Sequence, residues 1–246
     1  MIHLIVRVVA IVAGLILCVP LHYAWKLAGR RSPWPRRFLF WVGRSAGMRT
    51  RIAGRPLTDH VLFVSNHESW LDIILLAGAT GTAFVSKAEV AEWPVIGWLA
   101  GLNDSVFVAR EQRRGVRGQA DALRTALASG RPVALFPEGT TDGGTQVLPF
   151  RPSLLAALYP PLPGIQVQPV AIDYGASAQD IAWVGVESAA ANARRVLSRS
   201  STVPVTISFL EPVDPASAGD RKGLAIAARD EIVAALLTSA APADRL

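Results

Sequence analysis

From Gly47 onward, short apolar runs rich in β-branched residues alternate with longer stretches patterned for helices, and this alternation constrains the fold more than any other feature of the chain. Runs at Met48–Ala53, Val61–Ser65, Ala83–Ser86, Val106–Val108, Val133–Phe136, Val167–Ile172 and Val203–Leu210 read as strands. Between or after them, Ser69–Ala77, Ala88–Ala100 with a break near Pro94, Val116–Ser129, Ser153–Leu158 and Leu224–Leu237 read as helices. Parallel neighbours in a sheet need a crossover of a dozen residues or more, usually helical, and crossovers of that kind recur here. The expected fold class is therefore α/β, a mostly parallel mixed sheet flanked by helices. In such sheets reactive groups gather beyond the strand ends, so the segments after Ser65, Val108 and Phe136 are where chemistry is expected.

The first 47 residues differ in character. Val8–Trp25 is an apolar run of 18 residues, preceded by Arg7 and interrupted by Pro20 and His22. A bilayer span takes about 20 apolar residues, so a short span and a helix sunk partly into one leaflet both fit the run. A cleaved signal peptide fits less well, because no clear small-x-small site follows and the next residues are strongly basic. Ten of the 25 Lys and Arg residues lie within positions 1–60, where Asp59 is the one acid, whereas positions 61–246 carry 15 basic and 18 acidic residues. The basic residues directly follow the apolar run and are interleaved with Trp34, Phe38, Phe40 and Trp41, an arrangement suited to a membrane surface rather than to nucleic acid. In Pro33–Gly47, Phe38, Trp41 and Val42 can share one helix face while Arg36, Arg37 and Arg44 project elsewhere. Such a helix either lies in the membrane interface or packs its aromatic residues on the protein's own core. The expected division is a membrane-associating helical segment over 1–47 and an α/β domain over 48–246. At 51% hydrophobic and 18% charged residues the chain is not disordered. The lone Cys18 excludes an intrachain disulfide, no Cys/His cluster offers four ligands to a structural zinc, and a reducing compartment is the simpler assumption.

Strand Val61–Ser65 runs directly into Asn66-His67-Glu68-Ser69-Trp70-Leu71-Asp72. Five positions on an ideal helix rotate a side chain by about 140°, so His67 and Asp72 meet only if the turn between strand and helix is irregular. If they meet, the carboxylate fixes the imidazole tautomer and stabilises its protonated form, which makes His67 a general base. If they do not, His67 is a turn residue and Asp72 a capping or solvated one. A second cluster, Phe136-Pro137-Glu138-Gly139-Thr140-Thr141-Asp142-Gly143-Gly144, ends strand Val133–Phe136 with a proline and supplies three glycines that permit close approach to a ligand. Glu138 at that strand tip can accept from a substrate hydroxyl or orient another group. The third strand end leads to Arg110, Arg113, Arg114 and Arg117, which can hold an anion by bidentate hydrogen bonds or form a solvated helix face. Gly43-Arg44-Ser45-Ala46-Gly47 fits GxSxG, but a nucleophile elbow needs a strand before it and a helix after it, and the order here is the reverse. HxxxxD lacks the usual zinc-ligand spacing.

Together these clusters resemble the glycerolipid acyltransferase family. NHESWLD at 66–72 matches the family's NHxSxxD at every specified position, FPEGT at 136–140 matches its third block, VFVAR at 106–110 most of its second, and Val167-Gln168-Pro169-Val170 is similar to its fourth. The resemblance spans roughly residues 48–210 and implies a glycerol-phosphate acyltransferase-like fold and direct acyl transfer without a covalent acyl-enzyme. His67 would remove the proton of the acceptor hydroxyl, Asp72 would orient it, and Asn66, Ser69, Arg110, Glu138, Gly139 and Thr140 would bind substrate. The implied reaction moves an acyl group from acyl carrier protein or coenzyme A, as substrate and with no bound cofactor, to 1-acyl-sn-glycerol-3-phosphate. The family's third block usually continues with Arg where this chain has Thr141, and its second often has Gly and Asp where this chain has Asp104 and Ala109. Loss of an Arg that would pair with a phosphate weakens the case for that acceptor, although Arg110, Arg113 or Arg151 can compensate. FPEGTTDGGTQVLPFRPSL is also similar to members that acylate lyso-ornithine lipid, the alternative acceptor. The partners implied are membrane lipids, a lysolipid and an acyl thioester, with no nucleic acid, at the cytoplasmic face of the inner membrane. A membrane-docked scaffold without turnover is a rival that an intact His67/Asp72 pair disfavours.

Overall fold

The computed structural model describes residues 1–87, 92, 96–103, 105–108, 113–141 and 143–240. Among them, seven strands form one sheet: β1 (Met48–Ala53), β2 (Val61–Ser65), β3 (Ala83–Lys87), β4 (Val106–Val108), β5 (Val133–Leu135), β6 (Gln166–Asp173) and β7 (Val203–Phe209), in the order β1-β7-β6-β2-β5-β3-β4. Every neighbouring pair is parallel except β6 and β7. The helices are α1 (Ile2–Leu27), α2 (Trp34–Ser45), α3 (Trp70–Thr80), α4 (Ile96–Leu102), α5 (Arg113–Ala128), α6 (Ala178–Ile181), α7 (Ala189–Ser198) and α8 (Arg221–Ala240). The mostly parallel α/β sheet expected from the sequence is the one observed.

β2 is central and buried at every position, as a parallel strand covered on both faces must be. Val61 and Phe63 join a core with Leu71, Leu75 and Leu76 of α3, whereas Leu62 and Val64 join the opposite core with Leu123 and Leu127 of α5 and Leu224 and Ile232 of α8. The chain leaves β2 for β3 and β4 at one edge, then returns so that β5 fits between β2 and β3. β2 thus has parallel neighbours on both sides, with Val64 level with Leu135 of β5 and with Pro169 of β6. The loops after Ser65, Leu135 and Asp173 consequently open at one end of the sheet, where the strand order reverses.

Three local differences from the sequence expectation have physical causes. Pro152–Leu158 is a 3-10 segment rather than an α-helix, because Pro152 opens it and Pro160 prevents its extension. α6 and α7 carry no strong periodic signal, since α7 buries only Asn192, Val196 and Leu197. The expected helix over 88–100 lies partly outside the described residues, with Ile96–Leu102 helical.

α1 is long and apolar enough to cross a membrane. It extends well past the apolar run that marks it in the sequence, and one stripe of it is docked. Ile11, Leu15 and Cys18 pack with Phe38 and Val42 of α2, and Leu4 packs against the main core. Arg7 donates to the carbonyls of Ala46, Val196 and Ser201. Trp41 donates its indole N–H to the Ala10 carbonyl at 2.7 Å, and a Cβ at Gly14 would stand 2.4 Å from the Trp41 ring. Phe38 and Val42 turn inward while Trp41 stays 47% exposed against α1, so α2 packs part of its aromatic face on the protein itself. The opposite stripe of α1, including Ile5, Val9, Val12, Ile16 and Tyr23, is exposed.

Candidate active site

The turn after β2 is built by hydrogen bonds that the motif itself supplies. Asn66 is buried and makes paired bonds with the backbone of Ile172, its Nδ2 donating to the carbonyl at 2.9 Å and its Oδ1 accepting from the N–H at 2.9 Å. These stitch the loop to β6. Ser69, in extended conformation, is the N-cap of α3, and with Asp72 it forms a capping box. His67 and Glu68 therefore precede the helix, and the helical 140° offset does not apply to them. Asp72 folds back over the helix start, and its Oδ2 accepts from the N–H groups of Glu68 at 2.7 Å and Ser69 at 2.8 Å and faces Nδ1 of His67 at 2.8 Å. A carboxylate in the first turn is also favoured by the helix dipole. The Ser69-x-x-Asp72 spacing is a capping-box signature legible in the sequence, and it is the signal that places the two side chains together.

Asp72 is 1% exposed and His67 16%. Oδ1 of Asp72 accepts from the Tyr174 hydroxyl at 2.6 Å. Burial, then the adjacent Asp72 charge, hold the Tyr174 hydroxyl well above its ordinary range, so it remains a donor. The His67 ring stacks on Phe136 with centroids 4.1 Å apart, and Phe136 stacks in turn on Phe84. With Nδ1 on the carboxylate and one ring face on Phe136, the Nε2 edge is what His67 can present to a substrate.

Glu138 is buried, and its two oxygens accept from backbone, Oε1 from His67 N–H at 2.8 Å and Oε2 from Leu148 N–H at 2.9 Å. It ties the loop after β5 to the loop after β2. Gly139 has φ 72°, and a Cβ there would lie 3.2 Å from the Arg151 guanidinium. Thr140 is exposed, and Thr141 donates to the Trp183 carbonyl. Ser69 is fully buried, its Oγ accepting from Leu71 N–H, so it is a cap and not a nucleophile. Arg110 lies outside the described residues, and Arg113, Arg114 and Arg117 belong to α5. Ser45 ends α2 ahead of β1, the helix-then-strand order that a nucleophile elbow cannot have.

Glu68, Tyr174 and Phe136 were not singled out as site residues from the sequence. Glu68 is pushed up to about 8, first by burial and then by the charges of Asp72, Asp173 and Glu138, so it is a neutral acid at pH 7. Its Oε1 accepts from Asn66, and its Oε2 is buried without a hydrogen bond. Among the described residues no three His, Cys, Asp or Glu side chains are grouped to hold a metal ion. A shallow apolar cleft lies between α1, α2 and α4, bordered by Leu15, Val19, Phe38, Leu39 and Leu99.

A carboxylate-backed imidazole at the carboxyl end of the central strand of a mostly parallel α/β sheet is an arrangement able to move a proton to or from a bound substrate. The acyltransferase family model matches residues 49–173, and the chain belongs to that family. A lyso-ornithine lipid O-acyltransferase of Brucella abortus is 35% identical over 95% of this chain and 93% of its own length. A second, from Rhodobacter capsulatus, is 37% identical over 74% of this chain and 67% of its own length. Among solved structures, the 1-acyl-sn-glycerophosphate acyltransferase of Thermotoga maritima shares the fold, with a TM-score of 0.61 at 22% identity over 86% of this chain and 78% of its own.

Proposed function

We propose that the protein acylates the free hydroxyl of a lysolipid, with lyso-ornithine lipid as acceptor and acyl carrier protein or coenzyme A thioester as donor. The observation that carries this reading is the 2.8 Å contact of His67 Nδ1 with a buried, four-bonded Asp72 carboxylate. Nε2 takes the acceptor's hydroxyl proton as its oxygen attacks the thioester carbonyl. The C–S bond then breaks, and the thiolate takes the proton back from the imidazolium and leaves as free thiol. Asp72 holds the tautomer and balances the imidazolium charge.

The acceptor choice is supported by the near full-length match to a lyso-ornithine lipid enzyme. It is also supported by Thr141, whose hydroxyl is spent on the Trp183 carbonyl where an arginine would serve a phosphate. Arg151, exposed and seated against Gly139, favours the second reading, 1-acyl-sn-glycerol-3-phosphate. On this proposal residues 1–47 anchor the enzyme and residues 48–246 catalyse, with Asn66, Ser69 and Glu138 shaping the loops, Gly139 and Thr140 bordering the acceptor, and Arg110 a substrate-binding residue. The exposed stripe of α1 and the basic residues after it support attachment to the cytoplasmic face of the inner membrane, where acyl thioesters are made. Purified protein is to be given labelled acyl thioester and vesicles containing one acceptor or the other. Acylation of lyso-ornithine lipid is expected, and activity confined to lysophosphatidic acid would reverse the assignment.

A further inference from the structure

We infer that Tyr174 is a positioning residue of this site, its hydroxyl holding the Asp72 carboxylate turned so that Oδ2 faces His67. The inference rests on the general-base reading of His67 given above. Three donors crowd Oδ2 of Asp72, namely His67 Nδ1 and the N–H groups of Glu68 and Ser69, whereas the bond at Oδ1 comes from Tyr174 at 2.6 Å. A buried carboxylate oxygen left without a donor carries a desolvation cost. Glu68 in the same loop, itself a neutral acid, has Asp72, Asp173 at the end of β6 and Glu138 after β5 as its charged neighbours. The Tyr174 donor reaches Asp72 from a rigid base. Tyr174 is 1% exposed, and it follows β6 two residues after Ile172, where Asn66 locks strand and loop together. Its side chain lies in the apolar core with Ile181, Val196 and Ile207. The hydroxyl therefore reaches Asp72 from a scaffold separate from the motif loop, and it is Asp72, not substrate, that it touches.

Tyr174→Phe keeps the ring and removes the donor. Oδ1 is then left unpaired, the carboxylate becomes more basic, and the His67–Asp72 pair takes up its inactivating proton at higher pH. The acid limb of the kcat/KM profile is expected to move up by about one pH unit, the scale of one hydrogen bond to a charged group. On that limb the rate falls about tenfold with KM for the lysolipid unchanged. A purely structural role would lower the melting temperature and leave the limb where it is. Site-specific 3-fluorotyrosine at 174, a more acidic phenol and stronger donor, is expected to move the limb down, and it decides the matter if Tyr174→Phe does not fold. Both are measured also in a Glu68→Gln chain, which removes the titration of that neighbour. An unmoved limb in the folded variants, with His67→Ala inactive, overturns the role of Tyr174 and leaves the base standing. An active His67→Ala overturns the base and Tyr174 with it.

Discussion

Glu138→Gln distinguishes a residue that braces the site from one that touches the lipid. The carboxylate accepts from two backbone N–H groups, His67 at 2.8 Å and Leu148 at 2.9 Å, in a setting almost closed to water. Glutamine can accept with its one oxygen, and its NH2 then meets the second N–H donor to donor. A hydrogen bond to a charged group contributes roughly 1.5–3 kcal/mol, and a buried N–H left unpaired costs about 1–3 kcal/mol. Partial relaxation brings the expected loss to about 3 kcal/mol, or roughly 6–12 °C in melting temperature for a chain of this size. Because the displaced backbone belongs to His67, kcat should fall by about 10²-fold, the scale of a 1 Å misplacement. KM for the acceptor should stay within about twofold, since uniform binding is untouched. Thermal unfolding and initial rates across acceptor concentration measure all three. A variant that melts like the wild type and shows a large rise in acceptor KM would refute the bracing role and assign Glu138 to the lipid.

Glu68 makes stability depend on pH. Its folded value of about 8 exceeds the ordinary 4.5, so the folded state holds a proton that the unfolded state has released between those limits, and stability must fall as pH rises through that window. With partial exposure discounted, the fall amounts to about 2–4 kcal/mol; Glu68→Gln should flatten it, and parallel denaturation profiles for the two proteins would exclude the effect. Gly14→Leu drives a side chain into Trp41, where even a Cβ would stand 2.4 Å away. It should separate α1 from α2, seen as faster proteolysis near residue 30 and altered tryptophan emission, and unchanged proteolysis would show that the two helices are not docked. Arg7→Ala removes three ties from α1 to backbone carbonyls and should destabilise by about 2 kcal/mol; an unaltered unfolding midpoint would remove Arg7 from the anchor.

Local features of the sequence carried over well, and long-range ones less so. β1 and β2 begin and end where their apolar runs do, because strand boundaries here coincide with glycine, proline and polar turns. The meeting of His67 with Asp72 depends on a helix cap, so helical rotation alone misjudges it and the Ser69-x-x-Asp72 pattern resolves it. Tyr174 could not be found this way. It lies 102 residues from its partner and is brought there by the pairing of β6 with β2. Glu138 is recognisable as a strand-tip carboxylate, but the identity of its donors follows from β5 inserting beside β2, a non-sequential step. The docked stripe of α1 was equally hidden, since the side facing α2 and the side facing outward are both apolar.

Proton removal by His67 is tested most directly by acyl transfer by folded His67→Ala protein with saturating thioester and lysolipid. Loss of a positioned base should lower the rate by about 10²–10⁴-fold while vesicle binding and the circular dichroism spectrum match the wild type. Transfer at close to the wild-type rate would contradict it.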